Sequence, residues 1–387
     1  MKRMINIGIR ISLLWVILSN CVDKFDAHLP NDNMGLLIVE GNIISDSTVV
    51  FCLSRSFSLD METFPQDYNQ IDAEVSVVGT DGSHFNGVSL GKGKYQIAIG
   101  KLNKEVSYSL KIVFDRDTYI SEPQYPLETE EIESVTYVQP EEYGNLYVRL
   151  STQSNVAAYY LWSYEEDWEV KAEYAVQWFY NPETNKLTYY DEPPYARGWC
   201  HNESSQILIG TTESNLNYRL KDKQLYSIIC NDVNDTRVSR YYSTLMKQRK
   251  ISKGEYEYYQ DKIKFNEEMG GLFTPQPSEL PTNITCSNPK KQVIGYIGVN
   301  MNVAKHRIFI SRNDIKYQNI RECFALKLVT YDIYPEFYEM YMKDYRLFFY
   351  YHGVGRDTSL WAPRGCTDIR DLGGTLDKPS FWPDKTD

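Results

Sequence analysis

From Gly35 to about Pro123, short apolar runs alternate with polar turns, the pattern of a series of short strands. "GLLIVEGNI" and "TVVFCLSRSF" are the first two runs. "AEVSVVGTDGSHFNGVSL" follows, with Asp81-Gly82 predicting a hairpin turn because both residues accept positive φ. "GKYQIAI", after a Gly91-Lys-Gly93 turn, "SYSLKIVF" and "TYISEP" complete the set. About seven strands in about 90 residues, without helical periodicity, predict an immunoglobulin-like or prealbumin-like sandwich over 35–126.

Pro123, Pro126 and the acidic run Glu128 to Glu133 mark a boundary. Beyond it, "SVTYVQ", "LYVRLST", "AAYYLWSYEEDWEV", "AEYAVQWFY", "QILIGTT" and "QLYSIIC" continue the strand pattern. A larger antiparallel β domain is therefore expected over 127–387, interrupted by one inserted helix at about 252–269. "SKGE" opens that helix as a capping box: the Ser252 hydroxyl accepts from the Glu255 amide, and Glu255 reaches back to the Ser252 amide. Gly270-Gly271 ends it. At 100° per residue the helix carries two apolar stripes, Tyr256, Tyr259 and Ile263 on one side and Tyr258, Phe265 and Met269 on the other. The expectation is a helix packed between layers. The alternative gives the second stripe to a partner, with contacts from Tyr258, Phe265, Met269 and the adjoining Phe273, Pro275 and Pro277. "VIGYIGVNMN" and "KHRIFIS" predict a closing hairpin. "YPEFYEMYMKDYRLFFYYHG" fits helix and aromatic strand equally, and the tail predicts a long loop packed through Phe381 and Trp382.

The chain starts differently. Lys2, Arg3 and Arg10 precede the apolar run Ile11 to Leu18, the layout of a secretory signal over 1–20. The run is far short of the roughly 18–20 residues that span a bilayer. Leu18-Ser19-Asn20-Cys21 resembles a bacterial lipobox, with Asn20 where a smaller residue is usual. Cys21 is accordingly the expected lipid anchor, and 21–34 its tether. An ordinary signal peptide, leaving Cys21 a thiol, is the alternative.

Setting Cys21 aside leaves six of the seven cysteines, an even number that permits disulfides of unspecified connectivity. None forms a C-x-x-C pair or has a histidine at finger spacing, so neither zinc nor any other metal or cofactor is expected. A net charge of −11 argues against a nucleic-acid partner, which would select a basic stripe. The 32 tyrosines suit strands, and they also suit surfaces that bind sugars and peptides. The five histidines form no H-x-x-x-H or H-E-x-x-H pair, and no G-x-S-x-G elbow, P-loop or dinucleotide fingerprint occurs.

The one enzyme-like signal is "WSYEEDW". Glu165, Glu166 and Asp167 lie between Trp162, Tyr164 and Trp168, which recommends Trp162, Tyr164, Glu165 and Trp168 as a sugar-stacking and acidic site. Neighbouring carboxylates on a strand point to opposite faces, so only one of each adjacent pair can line a given cleft. No catalytic residue is assigned. A solvated acidic face with core aromatics is the expected state.

Taken in order, the lipobox Cys21, "IVEGNI", "AEVSVVGTDG", "YYLWSYEEDWEV", the run "ISKGEYEYYQDKIKFNEEMGGLFTPQPSELPTNI" with "VIGYIGV" and "KHRIFI", and the closing Cys366, Asp368, Gly373, Gly374, Lys378, Pro379, Phe381 and Trp382 resemble a family of Bacteroidota outer-membrane lipoproteins built on a domain of unknown function. Its members tend to be encoded beside TonB-dependent receptors. The resemblance implies a lipid-anchored outer-membrane location, with the cell-surface face favoured, and a receptor partner. Many relatives carry a second cysteine three places after the counterpart of Cys366, where Ile369 stands here. The functional expectation is a non-catalytic accessory to a TonB-dependent transporter that captures or delivers a peptide or glycan. The alternatives are a surface hydrolase of glycan or peptide and a structural or adhesive surface lipoprotein.

Overall fold

The computed structural model describes residues 35–56, 68–232, 235–268, 280–318, 323–331 and 333–384. Cys21, Met269, Phe273, Pro275 and Pro277 lie outside them. The fold is mainly β. The first strands are β1 (Leu37–Glu40), β2 (Ile43–Ile44), β3 (Ser47–Arg55), β4 (Glu74–Gly79), β5 (His84–Gly91), β6 (Lys94–Ile99), β7 (Tyr108–Phe114) and β8 (Asp117–Ser121). Next come β9 (Ile132–Val138), β10 (Leu146–Gln153), β11 (Tyr159–Lys171), β12 (Trp178–Asn181), β13 (Lys186–Tyr189), β14 (Arg197–Glu203), β15 (Leu208–Thr211), β16 (Arg219–Ile228) and β17 (Tyr241–Ile251). Helix α1 (Lys253–Glu268) is followed by β18 (Ile284–Cys286), β19 (Val293–Ile294), β20 (Val299–Asn300), β21 (Ala304–Ser311) and β22 (Leu326–Thr330). Helix α2 (Ile333–Met342), β23 (Tyr345–His352) and β24 (Asp357–Pro363) end the series.

The first unit is a sandwich made by one strand that changes partners. Its sheet order is β18-β8-β7-β4-β5-β6-β3-β1-β19. The start of β5 pairs with β4, and from Gly87 onward β5 pairs with β6. Gly87 permits the switch because a Cβ there would lie 2.7 Å from the Val75 carbonyl oxygen. Alternation then fills the interior: Val49, Phe51 and Leu53 point inward from β3, and Tyr95, Ile97 and Ile99 from β6. The β4–β5 turn has a simpler basis than expected. Only Gly82 takes positive φ (87°), while Asp81 Oδ1 accepts from the Ser83 amide at 2.9 Å.

In the second unit, β14-β11-β17-β21 form a sheet with β15 also on β11, and β16-β10-β9 form the layer packed on it. A third cluster joins the β22-β24-β23 sheet, the β12–β13 hairpin and α2 around Tyr180, Phe337, Leu347 and Trp361. The ambiguous aromatic segment resolves into both forms, helix α2 and then β23, with Asp344 at positive φ (64°) between them. The chain therefore carries a second helix beside the expected one.

The predicted "VIGYIGVNMN"–"KHRIFIS" hairpin does not form. β19 runs parallel to β1 and β20 parallel to β2, so the chain returns to the first unit after α1, while β21 pairs with β17. Gly295 makes the return possible: at φ 145°, its missing Cβ would sit 2.3 Å from the Val39 carbonyl oxygen.

Helix α1 joins the two units. Tyr256 meets Tyr159 of β11 with ring centres 5.1 Å apart. Buried Tyr258 meets Tyr296 at 6.0 Å, and Lys262 pairs with Glu40 of β1 at 3.2 Å. Phe265 is half-buried. The cap forms by half. Ser252 Oγ accepts from the Glu255 amide at 3.1 Å, but the Glu255 carboxylate turns to Arg249 instead of the Ser252 amide. Ser252→Ala should therefore cost only the cap, about 0.5–2 kcal/mol, read as a lowered urea midpoint without loss of the fold.

The tail is fixed by Trp382, buried edge-on against Tyr241 and Phe309 with centres 5.7 and 6.0 Å away. Phe381 stays 40% exposed, with the Arg307 guanidinium 3.5 Å above its ring. Cys366 is bonded to Cys323, while Cys52, Cys200, Cys230 and Cys286 are free.

Candidate functional site

Strand β11 runs thirteen residues through the middle of its sheet, so both its edges are paired. Even-numbered residues face the β9–β10–β16 layer. Trp162 is 1% exposed and donates from Nε1 to Gln248 Oε1 at 2.8 Å. Tyr164 is buried flat against Tyr226, with ring centres 3.8 Å apart. Trp168 is partly buried and donates to Thr236 Oγ1 at 3.1 Å. A sugar-stacking platform needs an open ring face, and Trp162 and Tyr164 have none. That reading is corrected: these rings are core.

Glu166 lies on the same face and is buried. It accepts from Tyr242 Oη at 2.7 Å, Asn202 Nδ2 at 3.0 Å and Arg237 Nη1 at 3.1 Å. Burial by itself lowers the Arg237 pKa, but Asp235 and Glu166 outweigh it and hold the guanidinium firmly charged. Burial also pushes up the Tyr226 and Tyr242 phenols, which stay protonated as donors.

Glu165, Asp167 and Glu169 occupy the other face, as the alternation requires. Glu165 pairs with Lys247 of β17. Asp167 is held by His201 Nδ1 at 2.7 Å and Arg307 Nη1 at 3.1 Å. Glu169 meets Arg197 at 2.8 Å. Burial raises the Glu165 pKa most strongly, yet the hydrogen bond and charge of Lys247, helped by His201 and Arg307, bring it below the usual value. Glu130 behaves alike: burial is outweighed by bonds from Lys250, Ser154 and Tyr160. The stability these two depressed groups confer is fully present above the unfolded glutamate value of about 4.3, and is lost as pH falls through their lower folded values. Melting temperature should accordingly fall with pH below about 4.3, and Glu130→Gln should flatten that fall.

Such an arrangement ties neighbouring strands of one sheet together more readily than it moves protons, because every β11 carboxylate has a cationic partner. Lys305-His306-Arg307 contributes one more of these partners. It lies within β21 beside β17, where Arg307 bonds Asp167 and Ser243. The partners Arg237, Lys247, Arg307 and His201 escaped the sequence reading. For Lys247 and Arg307 the signal, basic residues alternating along "TLMKQRK" and "KHRIFI", becomes legible only once β11, β17 and β21 are aligned.

Open aromatic surface occurs elsewhere. A cavity of about 260 Å3 lies between the β12–β13 hairpin and the C-terminal sheet, walled by Trp178, Phe179, Tyr195 and Tyr341. Arg370 lies 3.6 Å over Tyr195, and Arg346 lies 4.3 Å over Tyr341. Among the described residues, no group of histidine, cysteine and carboxylate side chains is placed to hold a metal ion. No described helix is long and apolar enough to cross a membrane.

The family model for the domain of unknown function DUF4249 matches residues 22–306. No curated protein matches the chain. Among solved structures, a DUF4785 family protein from Legionella pneumophila subsp. pneumophila str. Philadelphia 1 is similar at 13% identity and a TM-score of 0.18, covering 53% of this chain and 51% of that one. The chain thus spans about half the length of that relative.

Proposed function

The chain belongs to the DUF4249 family, and from that premise we propose that it is a non-catalytic lipoprotein of the outer membrane. In this reading it is anchored through Cys21, faces the cell surface, and serves a TonB-dependent transporter by capturing or delivering a peptide or glycan. The observation that carries the non-catalytic part is the pairing of Glu165, Glu166, Asp167 and Glu169 with Lys247, Arg237, Arg307 and Arg197. A general acid or nucleophile must be free to reach a substrate, and each of these groups is already engaged by a cationic side chain. The arginine-and-aromatic cavity beside Tyr195 supports a binding role, since planar cations and rings suit both peptides and sugars. The Bacteroidota setting and the transporter partner come from the family resemblance, and the anchor comes from the basic start, apolar run and Cys21.

Lipid on Cys21 would hold the protein durably, since each buried methylene contributes roughly 0.8 kcal/mol and stable anchoring takes two chains or more. Cys21→Ala should move the protein from the membrane fraction to the soluble fraction and abolish metabolic labelling with a fatty-acid analogue. Unlabelled wild-type protein with unchanged fractionation would overturn the anchor. Glu165→Gln and Asp167→Asn should leave the biological role intact in a folded protein; a polymer whose cleavage either change abolishes would establish the hydrolase instead.

A further inference from the structure

Four neighbouring strands of the second unit each deliver one cation to the same end of their sheet. Lys171 closes β11 and stands opposite Arg197, which opens β14. Arg240 immediately precedes β17, and Arg312 immediately follows β21, its amide donating to the Arg240 carbonyl at 2.8 Å. The strand order β14-β11-β17-β21 sets these four side by side, although they are scattered along the sequence. Two adjoining cavities, of about 290 and 310 Å3, share Lys171, Arg240 and Arg312 in their walls.

The local charge is not balanced. Arg197 is engaged with Glu169, while Arg312 gives its guanidinium to the carbonyls of Ile315 and Tyr317 and so keeps its full charge. Lys171 and Arg240 are exposed and have no ion-pair partner among the described residues. The cavity walls otherwise carry Glu173 at the first and Glu169, already paired, at the second. A concentration of cations in a chain of net charge −11 opposes the general field, and their mutual repulsion is relieved when an anion joins them.

We propose that this sheet end is a binding site for an acidic glycan, whose carboxylates sit between Lys171, Arg240 and Arg312. Side chains supply the recognition: Asn313 brings an amide to the second cavity, while at the first Thr236 Oγ1, accepting from Trp168, keeps its hydrogen to donate, and Ser239 Oγ, donating to the Thr236 carbonyl, can still accept. A peptide added to this sheet as a further strand has no room at β14, whose outer edge is taken by Thr375, bonded to Trp199 in both directions at 2.8 and 2.9 Å. The inference deepens the capture role by naming the ligand class, and rests on that role only for its meaning in the cell.

The test is calorimetric titration of the detergent-solubilised mature lipoprotein with trigalacturonate, maltotriose and triglutamate, at low and moderate salt. Trigalacturonate should bind, more weakly as salt screens the charges. Arg240→Gln and Lys171→Gln, both at exposed positions and checked for folding by circular dichroism, should each weaken it at least about tenfold, the loss expected of one charge-assisted contact. No binding of trigalacturonate, equal binding of neutral maltotriose, preference for triglutamate, or unchanged affinity in both variants would each overturn the site. The titration contains no transporter, so its failure is separable from failure of the transporter partnership, which is read in cells.

Discussion

Arg249→Met should destabilise the protein by about 3–5 kcal/mol, because it leaves Glu255 charged and buried without a partner. The two side chains are 7% and 1% exposed, and Arg249 also donates to Asn300 Oδ1 at 3.1 Å. The pair thereby links β17, the first turn of α1 and β20, which runs beside β2 of the first unit. Gly298 admits it, since a Cβ there would lie 2.4 Å from Glu255 Oε2 and 2.6 Å from Arg249 Nη1. Urea unfolding would measure the loss. The double variant Arg249→Met with Glu255→Leu should recover most of it, because an apolar pair of similar volume replaces a buried ion pair at little net cost. A double variant as unstable as the single one would assign the loss to packing instead.

Trp162→Ala should cost a similar amount, about 3–5 kcal/mol, as for other buried aromatics cut to alanine. The ring fills the space over Gly210, where a Cβ would come 2.7 Å from its edge, and stacks beside Tyr160 with centres 5.8 Å apart. Its loss also strands Gln248 Oε1, a buried acceptor. An unchanged urea midpoint would mean that the ring faces solvent and that a sugar platform deserves another trial.

The legible part of this fold is the part that local pattern determines. Asp81-Gly82 and Gly91-Lys-Gly93 marked turns that bound β4, β5 and β6, and Ser252 marked the start of α1. The opposite facings of Glu165 and Glu166 followed from strand geometry. The other half of the capping box failed for a reason outside its own segment: buried Arg249 competes for Glu255. Pairings between distant segments were likewise hidden. β19 and β20 are two residues long, too short to show a period, and their parallel partners lie about 250 residues earlier. The even cysteine count permitted the Cys323–Cys366 bridge without selecting it. In "YPEFYEMYMKDYRLFFYYHG" aromatic residues satisfy both periods, and only the turn at Asp344 divides helix from strand. The cation row is the extreme case, because only strand order brings Lys171, Arg197, Arg240 and Arg312 together.

The role of a membrane-anchored capture protein meets its most direct test in crosslinking within intact cells, with the partner of the full lipidated chain identified by mass spectrometry. The account predicts recovery of a TonB-dependent outer-membrane receptor with the wild-type chain, and its loss with Cys21→Ala, which removes the protein from that membrane. Recovery of no such receptor from cells in which the lipidated protein is abundant would contradict it.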